Sequence, residues 1–144
     1  MSSSNIPESI RQRVRESFND RCAYCLSSQR YSNARFEVEH ITPRSLGGSD
    51  DEPNLCLSCR LCNSYKSAKV EELDPVSLTV VPLFNPRLQS WQDHFQWTRD
   101  GTMIVGKTEI GRATVVALKL NNEISVMVRR NWVSVGWHPP IDSI

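Results

Sequence analysis

Residues 36–63 read FEVEHITPRSLGGSDDEPNLCLSCRLCN, and the fold turns on this stretch. Phe36 and Val38 alternate with Glu37 and Glu39, which predicts a strand over residues 35–40. Thr42-Pro43 ends it, because proline has no N–H to give to a ladder. Gly47-Gly48-Ser49-Asp50 predicts a flexible turn. Leu55 and Leu57 predict a brief second strand. A helix is expected from Arg60 to about Val70, with Leu61, Tyr65 and Ala68 on one face. The order is strand, loop, strand, helix.

The stretch closes on Cys59-x-x-Cys62, and a matching pair, Cys22-x-x-Cys25, stands upstream with 33 residues between the pairs. Four thiolates suit tetrahedral Zn2+ at ~2.3 Å. One pair precedes the first strand and the other opens the helix, so one ion would pin both ends of the motif. Its binding would add folding energy that a small core lacks. The four-sulfur shell is closed, so this zinc is expected to be structural. Cys56-x-x-Cys59 is an alternative pair; Cys59 with Cys62 is preferred, leaving Cys56 as a buried strand thiol. A thioredoxin-like redox reading needs one Cys-x-x-Cys at a strand–helix junction, not two pairs.

Composition sets the bounds. At 144 residues, 39% of them hydrophobic, with eight prolines and six glycines, the chain suits a small module with an extension. A module of about 50 residues is short of apolar area, and a metal is one remedy. The net charge of +1 excludes a protein that coats DNA by bulk charge. Charge is uneven, however: six arginines lie between Arg11 and Arg35 against Glu16 and Asp20 alone. Acids gather at Asp50, Asp51 and Glu52 and at Glu71, Glu72 and Asp74. The unevenness reads either as ordinary solvated surface or as a local phosphate-facing patch on the N-terminal segment. No basic start followed by an apolar run is seen, and no apolar stretch approaches the roughly 20 residues of a membrane span. A cytoplasmic setting is therefore expected. Thiols stay reduced there, and paired cysteines favour metal over disulfide.

Elsewhere the pattern is coarser. MSSSN reads as a loose tail. Ile6, Ile10, Val14 and Phe18 recur every four residues and predict a helix over residues 7–19, with Arg11, Arg13 and Arg15 on its other face. Residues 1–19 form a tail and helix, 20–72 the core, and 73–144 an extension expected to pack on that core. Glu71–Pro75 marks the change in composition. Val76–Pro82 reads as strand. Asp100-Gly101 between two apolar runs predicts a hairpin. Thr108 caps a helix running to Leu120, with Ile110, Ala113, Ala117 and Leu120 inward. Asn122 caps another through Trp132, although Ile124, Val126 and Val128 also alternate as in a strand. The last twelve residues read as a tail.

His40, at the end of the first predicted strand, is the natural candidate for chemistry. A neutral imidazole accepts a proton near pH 7. Glu39 offers a carboxylate and Asn63 an amide oxygen, donors that suit Mg2+ or Mn2+. Phosphodiester hydrolysis needs this combination of a base for water and positive charge on the phosphate. Singly, each residue has a plainer use: a structural histidine, a solvated strand carboxylate, a turn asparagine. Adjacent strand residues also point to opposite faces, so Glu39 and His40 share a target only if the strand ends or bulges between them.

Taken together, VEHITP, the Gly47-Gly48 pair, Asn54-Leu55 and CRLCNSYK resemble the HNH endonuclease family of the ββα-metal fold. The four cysteines are similar to those of its zinc-containing branch. The resemblance covers roughly residues 20–70. It implies an α+β protein with a zinc-braced ββα-metal core, an N-terminal helix and an α/β C-terminal extension. It implies that His40 is the general base, that Asn54 braces the loop and orients His40, and that Glu39 and Asn63 hold the catalytic cation. Lys66, Arg44 and His94 become candidate phosphate contacts. For His94 a packed, hydrogen-bonded histidine is the plainer use; for the four tryptophans, core packing. The implied partner is DNA, double-stranded, and the activity is that of a metal-dependent endonuclease. The family usually has Asp before the histidine, where this chain has Glu39. The alternative reading is a non-catalytic zinc module that binds nucleic acid or protein.

Overall fold

The computed structural model describes residues 5–141. All of the expected N-terminal tail but Asn5 lies outside them, as do the last three residues of the expected C-terminal tail. Two compact units make up the described chain. The first comprises residues up to 70 with 85–88, and the second comprises residues 71–84 and 89 onward. The whole is mixed helix and strand, with three two-stranded antiparallel sheets among the described residues.

In the first unit, α1 (Glu8–Ser17) begins after Pro7, whose extended backbone stands at the N-cap. Its stripe of Ile6, Ile10, Val14 and Phe18 covers one face of a hairpin made by β1 (Glu37–His40) and β2 (Leu55–Ser58). Val38, Leu55 and Leu57 complete this core, and Val14 and Leu55 are fully buried. Each such side chain stabilises the fold by roughly 1.5–3 kcal/mol through apolar area removed from water. The register pairs Glu37 with Ser58, Val38 with Leu57, Glu39 with Cys56 and His40 with Leu55. Helix α2 (Arg60–Lys66) covers the opposite face, and the order strand, loop, strand, helix is complete.

Helix α2 differs from its sequence reading in two respects. It stops at Lys66 rather than near Val70, because Ser67 turns to φ 50° and breaks the ladder. Its inward side carries Cys62 and Lys66, while Leu61 and Ala68 are exposed. A hydrophobic period places leucine inside; here the sulfur cluster and a buried carboxylate set the rotation instead.

The second unit begins with β3 (Glu71–Leu73) and β4 (Val80–Pro82), so the expected strand over 76–82 is only its last three residues, and Asp74–Thr79 is a turn. Asp74 closes that turn, accepting from the backbone N–H groups of Val76 and Ser77, and its carboxylate receives two hydrogen bonds from Arg112, at 2.9 and 2.8 Å. A short turn of helix, α3 (Trp91–His94), leads into the hairpin β5 (Phe95–Trp97) and β6 (Ile104–Gly106), with Gly101 at φ 77° in its turn. Helix α4 (Glu109–Ala117) is capped by Thr108, and α5 (Glu123–Ser134) by Asn122. The strand-like alternation in α5 is overridden by that cap. Gly111 permits α4 to approach closely: a Cβ there would lie 2.0 Å from the carbonyl oxygen of His94. Phe84, Trp91, Phe95, Ile104, Ala113, Ala117 and Leu120 fill the core. Arg129 of α5 is buried and donates to the carbonyls of Thr102 and Leu120. The expected C-terminal tail is in part packed: His138 is buried, with its ring 4.3 Å from that of Trp97. Among the described residues no helix is long and apolar enough to cross a membrane.

Candidate functional site

The candidate metal centre is built from two backbone turns. Leu26 adopts φ 63° and returns its N–H to the carbonyl of Cys22 at 3.0 Å, curling residues 22–26 so that both sulfurs of the first pair face one way. The second pair opens α2: Cys59 stands at its N-cap, and its sulfur accepts from the N–H of Cys62 at 3.4 Å. The ligand atoms of Cys22, Cys25, Cys59 and Cys62 all lie within 4.8 Å of one another, and Cys25 and Cys59 are 3.8 Å apart. A tetrahedron with ~2.3 Å bonds has edges of about 3.8 Å. The four sulfurs thus fit Zn2+ in both chemistry and spacing. They also compete for protons. Hydrogen bonds with Cys22, Cys59 and Cys62 pull the Cys25 thiol well below its ordinary value, while Cys22 and Cys25 foremost push Cys59 and Cys62 above theirs. A dication removes that competition by letting all four become thiolates. Cys56 stays apart from the cluster, buried on β2 with its sulfur 3.8 Å from the Tyr24 hydroxyl.

Between the two strands, residues 41–54 form a tight loop. Asn54 ties it shut. Its side-chain oxygen accepts from the Thr42 N–H at 2.9 Å, and its amide nitrogen donates to the carbonyls of Thr42 and Ser49 at 3.0 and 2.8 Å. Its own carbonyl receives the Ile41 N–H at 2.8 Å. Gly48 is compelled by this closure, since a Cβ would meet the Thr42 oxygen at 1.8 Å. The sequence reads Gly47–Asp50 as flexible, but these bonds give the loop one shape.

That shape brings Asp50 to His40. The imidazole Nε2 lies 2.7 Å from Asp50 Oδ1, and the His40 side chain is only 5% exposed. Arg44 grips the same carboxylate, with Nε donating to Oδ1 at 3.0 Å and Nη2 to Oδ2 at 2.6 Å. Arg44 foremost, and His40 after it, hold the Asp50 carboxyl below its ordinary value. The acidic run 50–52 looks like solvated surface in the sequence. In the fold Asp50 faces His40, and Glu52 receives Arg13 at 2.9 Å.

Glu39 and Asn63 lie on the other side of the hairpin. The ladder runs unbroken through His40, so Glu39 shares a face with Glu37 and turns toward α2. It is buried, with one oxygen 4.0 Å from Lys66 Nζ and the other, Oε1, without a hydrogen-bond partner. Burial pushes its carboxyl up to about 7, against the opposing pull of Lys66. Lys66 is itself buried and donates to the Ile41 carbonyl at 2.9 Å. The Asn63 amide nitrogen donates to Glu37 at 3.1 Å. The orphaned Glu39 oxygen is chemically a donor for a hard divalent cation, but Asn63 is engaged with Glu37 rather than with Glu39, so the structure does not bring the two expected cation ligands together. His94 lies in the second unit, where Nδ1 is 2.7 Å from the Thr108 hydroxyl and the ring packs edge-on to Phe84.

Comparison with known proteins locates one likeness. Residues 22–69 match the model of a family described as HNH endonuclease. Searches of curated proteins and of solved structures found no match.

Proposed function

Starting from an HNH module over residues 22–69, with four cysteines placed to hold zinc, we propose that this protein is a metal-dependent endonuclease that hydrolyses DNA phosphodiester bonds. The observation that carries the reading is the position of His40: it ends β1 in a loop locked by Asn54, inside a module clamped by the sulfur cluster. Its imidazole takes the proton from the attacking water. Asn54 keeps the loop, and so the backbone around His40, in one geometry. The zinc joins the 22–25 turn to the start of α2 and takes no part in chemistry, since four thiolates leave no open position. The resemblance gives Mg2+ or Mn2+ to Glu39 and Asn63, a cation that when bound would supply positive charge to a phosphate. In this fold Glu39 is buried against Lys66 on the face of the hairpin opposite His40, and Asn63 donates to Glu37, so the two do not share one phosphate with His40 in this geometry. Arg44, half-exposed on the 41–54 loop with its guanidinium on Asp50, is the candidate contact for a phosphate of double-stranded DNA. Reduced thiols suit a cytoplasmic setting.

The test is supercoiled plasmid incubated with zinc-loaded protein and Mg2+ or Mn2+, beside His40→Ala. The wild type should relax or linearise the plasmid, and the variant should do so at least 10²-fold more slowly with plasmid binding retained. If both proteins bind DNA and both are inert, the chain is a zinc-braced binding module instead.

A further inference from the structure

Asp50 is not required by the reaction as described above, yet it makes the shortest contact that His40 has. We propose that Asp50 is the positioning residue for the base: its carboxylate, locked by Arg44, fixes the imidazole as the Nε2–H tautomer and leaves the Nδ1 lone pair to receive the proton from water. This deepens the endonuclease reading and rests on it.

The argument is geometric. A neutral imidazole has one N–H and one lone pair, and the group that faces one nitrogen decides which it is. A carboxylate can only accept, so at 2.7 Å the hydrogen must lie on Nε2. Asp50 is kept a carboxylate by two charge-assisted hydrogen bonds from one guanidinium. Among the described residues nothing caps Nδ1, and that nitrogen is not one of the fully buried atoms lacking a partner. Only one edge of the ring is thus held by a hydrogen bond from the protein, and the little exposure that the side chain keeps, 5%, includes the unpartnered Nδ1. Asn54 and Gly48 prevent the loop from drifting, so the carboxylate cannot follow the ring if it rotates. The arrangement is that of a carboxylate orienting a catalytic imidazole from behind. Asp50 itself touches neither water nor phosphate in this scheme.

Four proteins test it: wild type, His40→Ala, Asp50→Ala and Asp50→Asn, each zinc-loaded and full length. Zinc content should agree within about twofold, because Asp50 is half-exposed on a loop and outside the sulfur cluster; plasmid affinity is measured for each protein, since the Asp50 variants loosen or release Arg44. Side-chain 15N spectra resolve the three histidines, with His40 assigned by its loss in His40→Ala. The wild type should show His40 as Nε2–H. Asp50→Ala should show a mixture of tautomers and nick plasmid roughly 10- to 100-fold more slowly, the loss lying in kcat rather than KM. Asp50→Asn, whose amide oxygen can still accept from Nε2, should fall less. A wild-type His40 found as Nδ1–H overturns the proposal, as does an Asp50→Ala protein that nicks at the wild-type rate or faster. In those cases a slow His40→Ala beside an active wild type leaves the endonuclease reading intact. An inert wild type overturns both.

Discussion

At the scale of single residues the most consequential group is Lys66. A lysine on a short helix reads as solvated or phosphate-facing, yet this one is buried against the Ile41 carbonyl and 4.0 Å from Glu39. Two charges in a low-dielectric interior are costly to assemble and costlier to separate. Lys66→Met should therefore destabilise the zinc-loaded protein by about 3 kcal/mol in urea denaturation. The double variant with Glu39→Gln should lose clearly less than the sum of the two single changes, because the orphaned charge is gone. Additive losses would show that the ammonium and carboxylate act independently. Neither Lys66 nor Asp50 could be placed from sequence. Each depends on a partner brought close by the fold, and neither position carries a periodic signal.

At the scale of elements much was legible. The paired cysteines, the alternation through Val38 and the proline after Thr42 identify strand, loop, strand and helix without coordinates. Thr108 and Asn122 announce the helices they cap, and each accepts the expected backbone N–H, from Gly111 and Ser125 respectively. The failures have local causes. Helix α2 is shorter than its pattern suggests, and its buried side carries Cys62 and Lys66, since a hydrophobic period cannot register a sulfur cluster or a buried ion pair. The first strand of the β3–β4 hairpin carries no strand signal in the sequence, because two of the three residues of Glu71–Leu73 are acids. Its turn holds a further prediction. Arg112 foremost holds the Asp74 carboxyl well below its ordinary value of 3.8. A depressed folded-state value means that the stabilisation is present above the unfolded value, near pH 4, and is lost as pH falls toward the folded one. Asp74→Asn should thus lower the urea midpoint at pH 7, and the gap to wild type should shrink below about pH 4. All four tryptophans lie in the second unit, so their fluorescence reads its unfolding. A gap that is constant down to pH 3 would mean that Asp74 acts through its turn hydrogen bonds alone.

At the scale of the whole molecule, charge decides how DNA would be held. The net charge is only +1, and several arginines are already engaged: Arg13 with Glu52, Arg15 with Glu8, Arg44 with Asp50, Arg112 with Asp74. Affinity for duplex DNA should then fall gently with salt, with a log–log slope no steeper than about −4, as befits a small number of neutralised phosphates. Fluorescence anisotropy across a salt series measures it. A slope near −10 would show a far larger cationic footprint than these pairings leave.

The sulfur cluster also has a topological meaning. It brings residues 22–25 to residues 59–62, so an ion bound there would make everything between a closed ring. The entropy of closing a ring grows only with the logarithm of its length, by about 0.6 kcal/mol per doubling. Segments inside the ring but outside the locked 41–54 loop, such as 27–36, can therefore lengthen or change at little cost to the closure. One clasp serves many bracelets: a lineage could revise what the module touches while leaving the lock around its imidazole unaltered.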